Sequence, residues 1–419
     1  MYSQILSVVI PFLAISGAKA DVVMTLYSDG NCANEIGTAN VNSGSCMTWF
    51  SPGWSSAKIT DDSGSPAGTL TFYTNNNCAA GQSSHGYSAA NFDCLKDFGF
   101  VANAAVIRAR MVKLDFDLER DVPKLTGKVL LITGGTNGLG TAAAKMLASR
   151  NPTKIYITGR NEAAAQKTIA QIKSTENGSS VILEWIRCDH ANLVSVKEAA
   201  DKILSQESRL DVLMANAGIM AQPPGLTADG FELHFGINHL AHALLIRKLL
   251  PLLQITAKLY GEARIIPVSS LALVLAPQGG IVFSDLKTTQ EYWLMAKWQR
   301  YAQSKLANLL YGKELARRYP EILTLIADPG PSNTGLVTSL GLLDKLIVHL
   351  GNINRFLDDD QGHWNQVWAV GVPKEKAIPG EFYEPVGIPT KSYTSWCLDK
   401  ELAAKLWDWT EEELRPWLV

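Results

Sequence analysis

Tyr301 and Lys305 are the residues whose types and spacing point most directly to chemistry. They stand four positions apart in a segment that reads as a helix over 299–317, so they share one face. An isolated tyrosine hydroxyl titrates near ~10, too high to move a proton easily at neutrality. A neighbouring ammonium favours the phenolate, so Lys305 is expected to lower the Tyr301 value. Such a pair can pass a proton to or from a reacting oxygen. Its spacing also arises by chance, so its weight depends on what accompanies it. What accompanies it is the stretch TGGTNGLG, Thr133 to Gly140. Four apolar residues, Val129 to Ile132, precede this stretch as a short buried strand, and an alanine-rich helical pattern, Thr141 to Ala148, follows it. In that setting Gly134 and Gly138 allow a tight turn and a close backbone approach to a pyrophosphate, and Gly140 lets the helix pack on the strand. The helix start then turns N–H groups and the positive end of its dipole toward phosphates. The stretch predicts dinucleotide binding, with Thr133, Thr136, Asn137 and Leu139 beside the glycines.

Strands and helices alternate onward from this turn. Strands are expected over 129–133, 154–158, 181–187, 210–215, 263–268, 322–327 and near 381–383; helices over 139–149, 162–175, 193–206, 228–253 and 299–317. The alternation predicts a parallel sheet covered on both faces. The second strand ends in Gly159-Arg160. NAD-preferring sites carry an acid about twenty positions after the glycine motif, bonded to the ribose 2′-hydroxyl. Arg160, twenty residues after Gly140, takes that place. A guanidinium pairs with a 2′-phosphate where a carboxylate would repel it. NADP (NADPH) is therefore the expected cofactor, ahead of NAD, and Asn137 is close enough in sequence to help.

Residues from about 121 to 419 resemble the short-chain dehydrogenase/reductases, most of all their retinol-dehydrogenase-like and WW-domain-oxidoreductase-like branch. The motifs are TGGTNGLG, ANAGIM (Ala215 to Met220), GINHLAHALL (Gly236 to Leu245), PVSSLA (Pro267 to Ala272), RYAQSK (Arg300 to Lys305) and DPG (Asp328 to Gly330), in the family's order. The resemblance implies an α/β fold with a Rossmann-type doubly wound parallel sheet. It implies an NADP-dependent oxidoreductase that interconverts a carbonyl and an alcohol on an apolar small molecule. In that pattern Tyr301 carries the proton and Lys305 also bonds the nicotinamide ribose. Ser270, second in the pair with Ser269, holds the reacting carbonyl, and Asn238 positions a water that relays protons to Lys305. Asp189 meets the adenine edge, Asn216, Ala217 and Gly218 follow the adenosine, and Pro329 and Gly330 belong to the cofactor site. Family members often pair through the helices 228–253 and 299–317, which leaves a homodimer open.

Four places depart from the pattern or stay ambiguous. Ser270 and Tyr301 are 31 positions apart, longer than is common, so the extra segment is read as a loop over the pocket. Pro267 interrupts a strand expected to be central and marks a bulge or a local end of pairing. Asp328 stands where relatives of this branch often have histidine. Residues 335–358 read equally as a cover over an apolar substrate or as a core helix. The last helix, Lys400 to Leu414, is expected to pack on the sheet.

The first hundred residues have a different composition. The chain of 419 residues carries a net charge of −2, which argues against a nucleic-acid partner. Residues 21–100 hold seven acids and only two bases. Four of the six cysteines, Cys32, Cys46, Cys78 and Cys94, also fall there, and read as a two-disulfide framework in an oxidising compartment. Their spacing has no CxxC, so no metal site is expected. A repeat at an offset of 46 aligns Thr25-Leu26-Tyr27 with Thr71-Phe72-Tyr73 and Asn31-Cys32-Ala33 with Asn77-Cys78-Ala79. It suggests two similar β-hairpin units, each closed by its own bridge or joined by cross-repeat bridges. The segment resembles small secreted cysteine-rich fungal proteins and, more loosely, a two-motif β/γ-crystallin-like unit.

Residues 1–20 read as a secretory signal peptide, with an apolar run too short to span a bilayer and Ala18-Lys19-Ala20 as the cleavage site. No transmembrane span is expected. The expected organisation is a signal peptide over 1–20, a disulfide-bonded β-rich domain over 21–100, a linker over 101–120 with a helix from Ala102 to Leu118, and the α/β module over 121–419. Two readings compete. One is a lumenal or secreted reductase. The other is a secreted binding or effector-like protein carrying an inactive or artefactually fused α/β module, with the module itself cytoplasmic if the fusion is artefactual.

Overall fold

The structure is a computed structural model and describes residues 22–41, 47–48, 53–61, 68–74, 84–88, 93–96, 102, 104–109, 114–175, 178–293, 295–331, 357, 361–390 and 394–418. The expected signal segment, Cys46, Cys78 and nearly all of 335–358 lie outside the described residues. The chain divides into two compact units between Lys113 and Leu114.

The N-terminal unit contains eight strands: β1 (Val22–Tyr27), β2 (Glu35–Val41), β3 (Met47–Thr48), β4 (Ser56–Asp61), β5 (Gly68–Tyr73), β6 (Ser84–Ser88), β7 (Cys94–Leu95) and β8 (Ala104–Ala109). One sheet runs β2-β1-β4-β7 and the other β3-β8-β5-β6. The repeat is visible in this order, because β5 to β8 retrace β1 to β4. The third strand of each half has crossed over: β7 pairs with β4, and β3 pairs with β8. Trp54 and Ala102, just ahead of β4 and β8, bond each other's backbone in both directions, at 2.9 and 2.8 Å. They mark the point about which the halves are related. Alternating residues of β1, β4 and β5 (Val22, Met24, Leu26, Ala57, Ile59, Leu70 and Phe72) turn inward around Trp54, as period-two patterning requires.

Two expectations change here, and one alternative left open is decided. Residues 104–109 form a strand, not part of a helix from Ala102 to Leu118, and the unit runs past residue 100. The halves are not self-contained hairpins, because each lends a strand to the other. Cys32 bonds Cys94 across the repeat, with the Cα atoms 6.0 Å apart, rather than within it.

The second unit is built on a six-stranded parallel sheet, β11 (Ile182–Arg187), β10 (Lys154–Gly159), β9 (Val129–Ile132), β12 (Val212–Ala215), β13 (Arg264–Pro267) and β14 (Leu323–Thr324), in that spatial order. Every residue of β9, β12 and β13 is buried, as strands covered on both faces require. The covering helices are α1 (Gly138–Ala148), α2 (Glu162–Lys173), α3 (Leu193–Gln206), α4 (Leu233–Tyr260), α5 (Ala296–Arg318), α6 (Trp364–Gly371) and α7 (Lys400–Leu418). Strand order reverses between β9 and β12, and the crevice above such a reversal is where doubly wound sheets bind ligands. α4 is long and apolar enough to cross a membrane, but most of it is buried in the fold as a core helix.

The expected strand over 322–327 is two pieces. β14 pairs with β13; β15 (Ile326–Ala327) pairs with β16 (Phe382–Glu384), which in turn pairs with β17 (Ile388–Pro389). Pro267 accounts for the break. Leu325 N–H bonds Ile265 and Ser269 N–H bonds Ala327, but the proline between them has no N–H to donate. α7 corrects a further expectation: it packs on α4 and α5, not on the sheet. Trp407 stacks on Tyr311 with centroids 4.8 Å apart, and Thr410 bonds His239 at 3.1 Å.

Candidate active site

The cleft at the strand reversal encloses about 360 Å³. Its floor is the glycine turn. Gly134 and Gly138 have positive φ, +67° and +54°, where a side chain would be strained. A Cβ on Gly134 would sit 3.0 Å from the Ala217 backbone, and one on Gly140 would sit 2.7 Å from Asn216 Nδ2. A Cβ on Gly138 would meet nothing within 4 Å, so that face is open to a ligand. The glycines thus leave a cradle that side chains would fill, as a dinucleotide site needs. Buried Thr158 Oγ1 and His190 Nε2, both on residues lining the cleft, have no partner among the described residues. The donor set and the cradle fit a nicotinamide dinucleotide.

Gly134, Thr136, Asn137, Gly138, Leu139, Arg160, Asp189, Asn216, Ala217, Gly218, Tyr301, Lys305 and Pro329 all line the cleft, as the sequence predicts. Thr133, Gly140, Asn238, Ser270 and Gly330 are not among its lining residues. Thr133 is fully buried. Its hydroxyl accepts from the Asn216 and Ala217 N–H groups at 2.8 and 2.9 Å, and lies 2.9 Å from His242 Nε2. His242 Nδ1 donates to the Asn238 carbonyl at 2.8 Å, so Nε2 is left to accept the threonine hydrogen. Thr133 therefore fixes the 216–217 wall from beneath. Gly140 lies under the turn, against Gly134. Gly159 was legible only as a strand end, yet its hydrogen is required: a Cβ would come 2.5 Å from Thr136 Oγ1. Ile219, Ile237 and Val268 line the cleft from within the quoted motifs without a role assigned to them, and Cys188, His190 and Ala191 line it with no motif to announce them.

Asn137 caps α1 by accepting from Gly138 N–H at 2.8 Å. Arg160 is exposed at the end of β10 and forms no ion pair among the described residues. Asp189 accepts from Ala191 N–H at 3.0 Å, which sets its carboxylate at the cleft edge.

The reacting groups converge at the other end. The Tyr301 phenol lies beside the Ser270 side chain, whose hydroxyl favours the phenolate. The Ser269 side chain lines the cleft, with its hydroxyl donating to the Lys305 carbonyl at 2.7 Å. Lys305 Nζ donates to the Val268 carbonyl at 3.0 Å and lies 5.8 Å from the Tyr301 ring centre. Asn238 sits in a wide π-turn at 236–240, a distortion frequent at functional sites. Its Oδ1 accepts from Ile219 N–H at 2.8 Å, and its Nδ2 donates to the Ile219 carbonyl and to Ser304 Oγ, at 3.0 and 2.9 Å. These bonds tie the ANAGIM segment itself to α5.

The electrostatics correct one expectation. Burial pushes the Tyr301 phenol well above its usual value; the Ser270 hydroxyl pulls it back in part, and the Asp328 carboxylate raises it further. Lys305 does not bring it down. Burial instead lowers the Lys305 ammonium to about 8, with Asp328 opposing. Desolvation disfavours both charges, and the amine is committed to a backbone carbonyl. Tyr301 is thus held as a proton donor.

The sequence profile of the short chain dehydrogenase family matches residues 128–305. A short-chain dehydrogenase/reductase of Aspergillus calidoustus, drtF, is 33% identical over 308 residues, covering 70% of this chain and 96% of the relative. The chain belongs to the short-chain dehydrogenase/reductase family. Retinol dehydrogenase 14 of Homo sapiens is 34% identical over 300 residues, 68% of this chain and 85% of that one. A solved structure of a putative uncharacterized protein from Mycobacterium Paratuberculosis superposes with a TM-score of 0.55 at 29% identity, covering 71% of this chain and 96% of its own. The family match sits on the glycine turn, ANAGIM and the Tyr301–Lys305 helix of this dehydrogenase/reductase. It is an oxidoreductase.

Proposed function

We propose that this dehydrogenase/reductase is NADP-dependent and interconverts a carbonyl and an alcohol on an apolar small molecule. The placement of Tyr301 in the cleft beside the Ser270 side chain, with Lys305 buried one helical turn away, carries the reading. The reduced nicotinamide, when bound, supplies a hydride to the carbonyl carbon. Tyr301 gives its proton to the carbonyl oxygen, completing the alcohol, and Ser270 holds that oxygen in line. Lys305, whose ammonium burial lowers to about 8, would bond the nicotinamide ribose as the family pattern implies.

Arg160 supports NADP, because a guanidinium without an acidic partner stands where an NAD site carries an acid. Met220, Ala221, Ala272, Leu275, Met295 and Trp298 pack around Tyr301, and support an apolar substrate. The Cys32–Cys94 bridge supports a secretory route for the chain. The test is oxidation of NADPH and of NADH by the purified full chain with short- and long-chain aliphatic aldehydes and ketones. NADPH-dependent reduction is expected; equal or better use of NADH would refute the cofactor assignment, and no turnover with any carbonyl would refute the reaction.

A further inference from the structure

Five polar side chains are buried beside Tyr301 with no part in the chemistry above: Glu232, His234, Gln290, Arg300 and Gln303. Burying a carboxylate and a guanidinium is expensive, and survives only where geometry and further bonds offset it. Here the bonds have a common target. His234 Nε2 accepts from Gln222 N–H at 3.1 Å, so Nδ1 carries the hydrogen it gives to Glu232, at 2.9 Å. The Arg300 guanidinium stands 3.4 Å from the same carboxylate. It donates to the Gln222 carbonyl at 3.1 Å and to the Gln290 carbonyl at 3.0 Å. Gln303 Nε2 adds a bond to Gln290 Oε1 at 2.9 Å. Residue 222 is therefore held at both ends of its backbone from one carboxylate, and residue 290 is held from the same guanidinium.

Both anchor points adjoin strained backbone. Ala221 has φ +52° and Gln290 φ +49°, and Met295, further along the same segment, has φ +51°. A non-glycine residue there is strained and persists only when its surroundings over-determine it. Met220 and Ala221 on one side, and Met295 and Trp298 on the other, form the apolar collar around Tyr301. The long spacing between Ser270 and Tyr301 thus supplies one side of the collar, and Arg300 ties it to the side supplied by the turn after ANAGIM.

We propose that Arg300, seated on Glu232, is a positioning residue that sets which carbonyl compounds reach Tyr301, by holding the two strained segments that carry the apolar collar. The inference rests on the carbonyl–alcohol reading and adds its selectivity device. A guanidinium suits the task because its fork reaches two carbonyls at fixed angles, which a single ammonium cannot do.

The experiment compares wild type, Arg300→Met and Arg300→Lys as full chains, with NADPH and the same aliphatic aldehydes. The expected result for Arg300→Met is a fall in kcat/KM of about tenfold or more for long-chain aldehydes, taken mainly in KM, with a smaller change for short ones. The NADPH dissociation constant should stay within about twofold, because the nucleotide end of the cleft is untouched. Arg300→Lys should recover part of the loss. Ala221→Gly should relax the same selectivity at unchanged or higher Tm, since glycine removes the strain but not the anchor. Long- and short-chain kinetics that change in equal proportion, or not at all, would overturn the proposal. So would both Arg300 variants failing to fold, which would assign the cluster to stability. Wild-type inactivity toward every carbonyl would instead defeat the reading of the reaction.

Discussion

The two units hold together by different means. Among the described residues the N-terminal unit buries no carboxylate, amine, guanidinium or imidazole; its interior is apolar apart from Thr25 and Ser56, and a disulfide ties its two halves. The dehydrogenase/reductase unit buries Glu232, His190, His234, His239, His242, Arg300, Lys305 and Asp328. Buried charge costs stability and is retained where position or reactivity demands it. The contrast locates chemistry in the second unit, while strand pairing and covalent closure hold the first together.

The largest effect that would test this contrast is on turnover. Tyr301→Phe removes the proton donor but keeps the ring in its packing, so steady-state turnover should fall by about 10²–10⁴ with NADPH still bound. Turnover near wild type would place the chemistry elsewhere. Next comes the covalent tie. Cys32→Ser opens a loop of 62 residues, which should destabilise the N-terminal unit by roughly 4 kcal/mol and leave kcat unchanged. Peptide mapping of the unreduced chain sharpens the point. The repeat carries Cys32 to Cys78 and Cys94 to Cys46, so the symmetry mate of the observed bridge joins Cys46 to Cys78. Bridges Cys32–Cys46 and Cys78–Cys94 would contradict the strand exchange.

Acid should separate the units as well. Burial lowers His190 to about 4 and His239 to about 3, and takes His242 well below its usual value. The unfolded chain binds these protons near pH ~6.5 and the folded chain does not. Stability is therefore whole above that pH and is lost as pH falls toward 4, by roughly 3 kcal/mol for His190 alone. Calorimetry should show the dehydrogenase/reductase transition moving down over this window while the N-terminal transition moves less; parallel shifts would defeat the contrast. The smallest effect concerns the cofactor. Arg160→Asp should weaken NADPH by roughly 2–3 kcal/mol and leave NADH nearly unchanged. Equal losses for both would return Arg160 to an ordinary surface residue.

Much of the second unit was legible because its signals are local. A buried strand, a glycine turn and a helix each announce themselves within ten residues, and Tyr301 and Lys305 share a helix face. The protonation behaviour was not legible, because the burial of Tyr301 and Lys305 and the Asp328 charge that acts on both arise only in the fold, from groups far apart in sequence. The collar clamp was hidden for the same reason: Glu232, Arg300 and Gln290 meet only in the fold. In the N-terminal unit, alanines and basic residues made 104–109 look helical, although the repeat offered a better guide. Strand 104–109 is the mate of 56–61, with Ala105 in place of Ala57 and Ile107 in place of Ile59.

The crossed third strands carry a further consequence. Without β7, β4 would present an open edge, and without β3 so would β8. A half of this unit, made alone, would carry an unpaired edge and a third strand with no home, and its satisfactory partner would be another copy of itself. The N-terminal unit is in that sense a dimer written on one chain, and a free half should assemble into the pair that the tandem copy already contains.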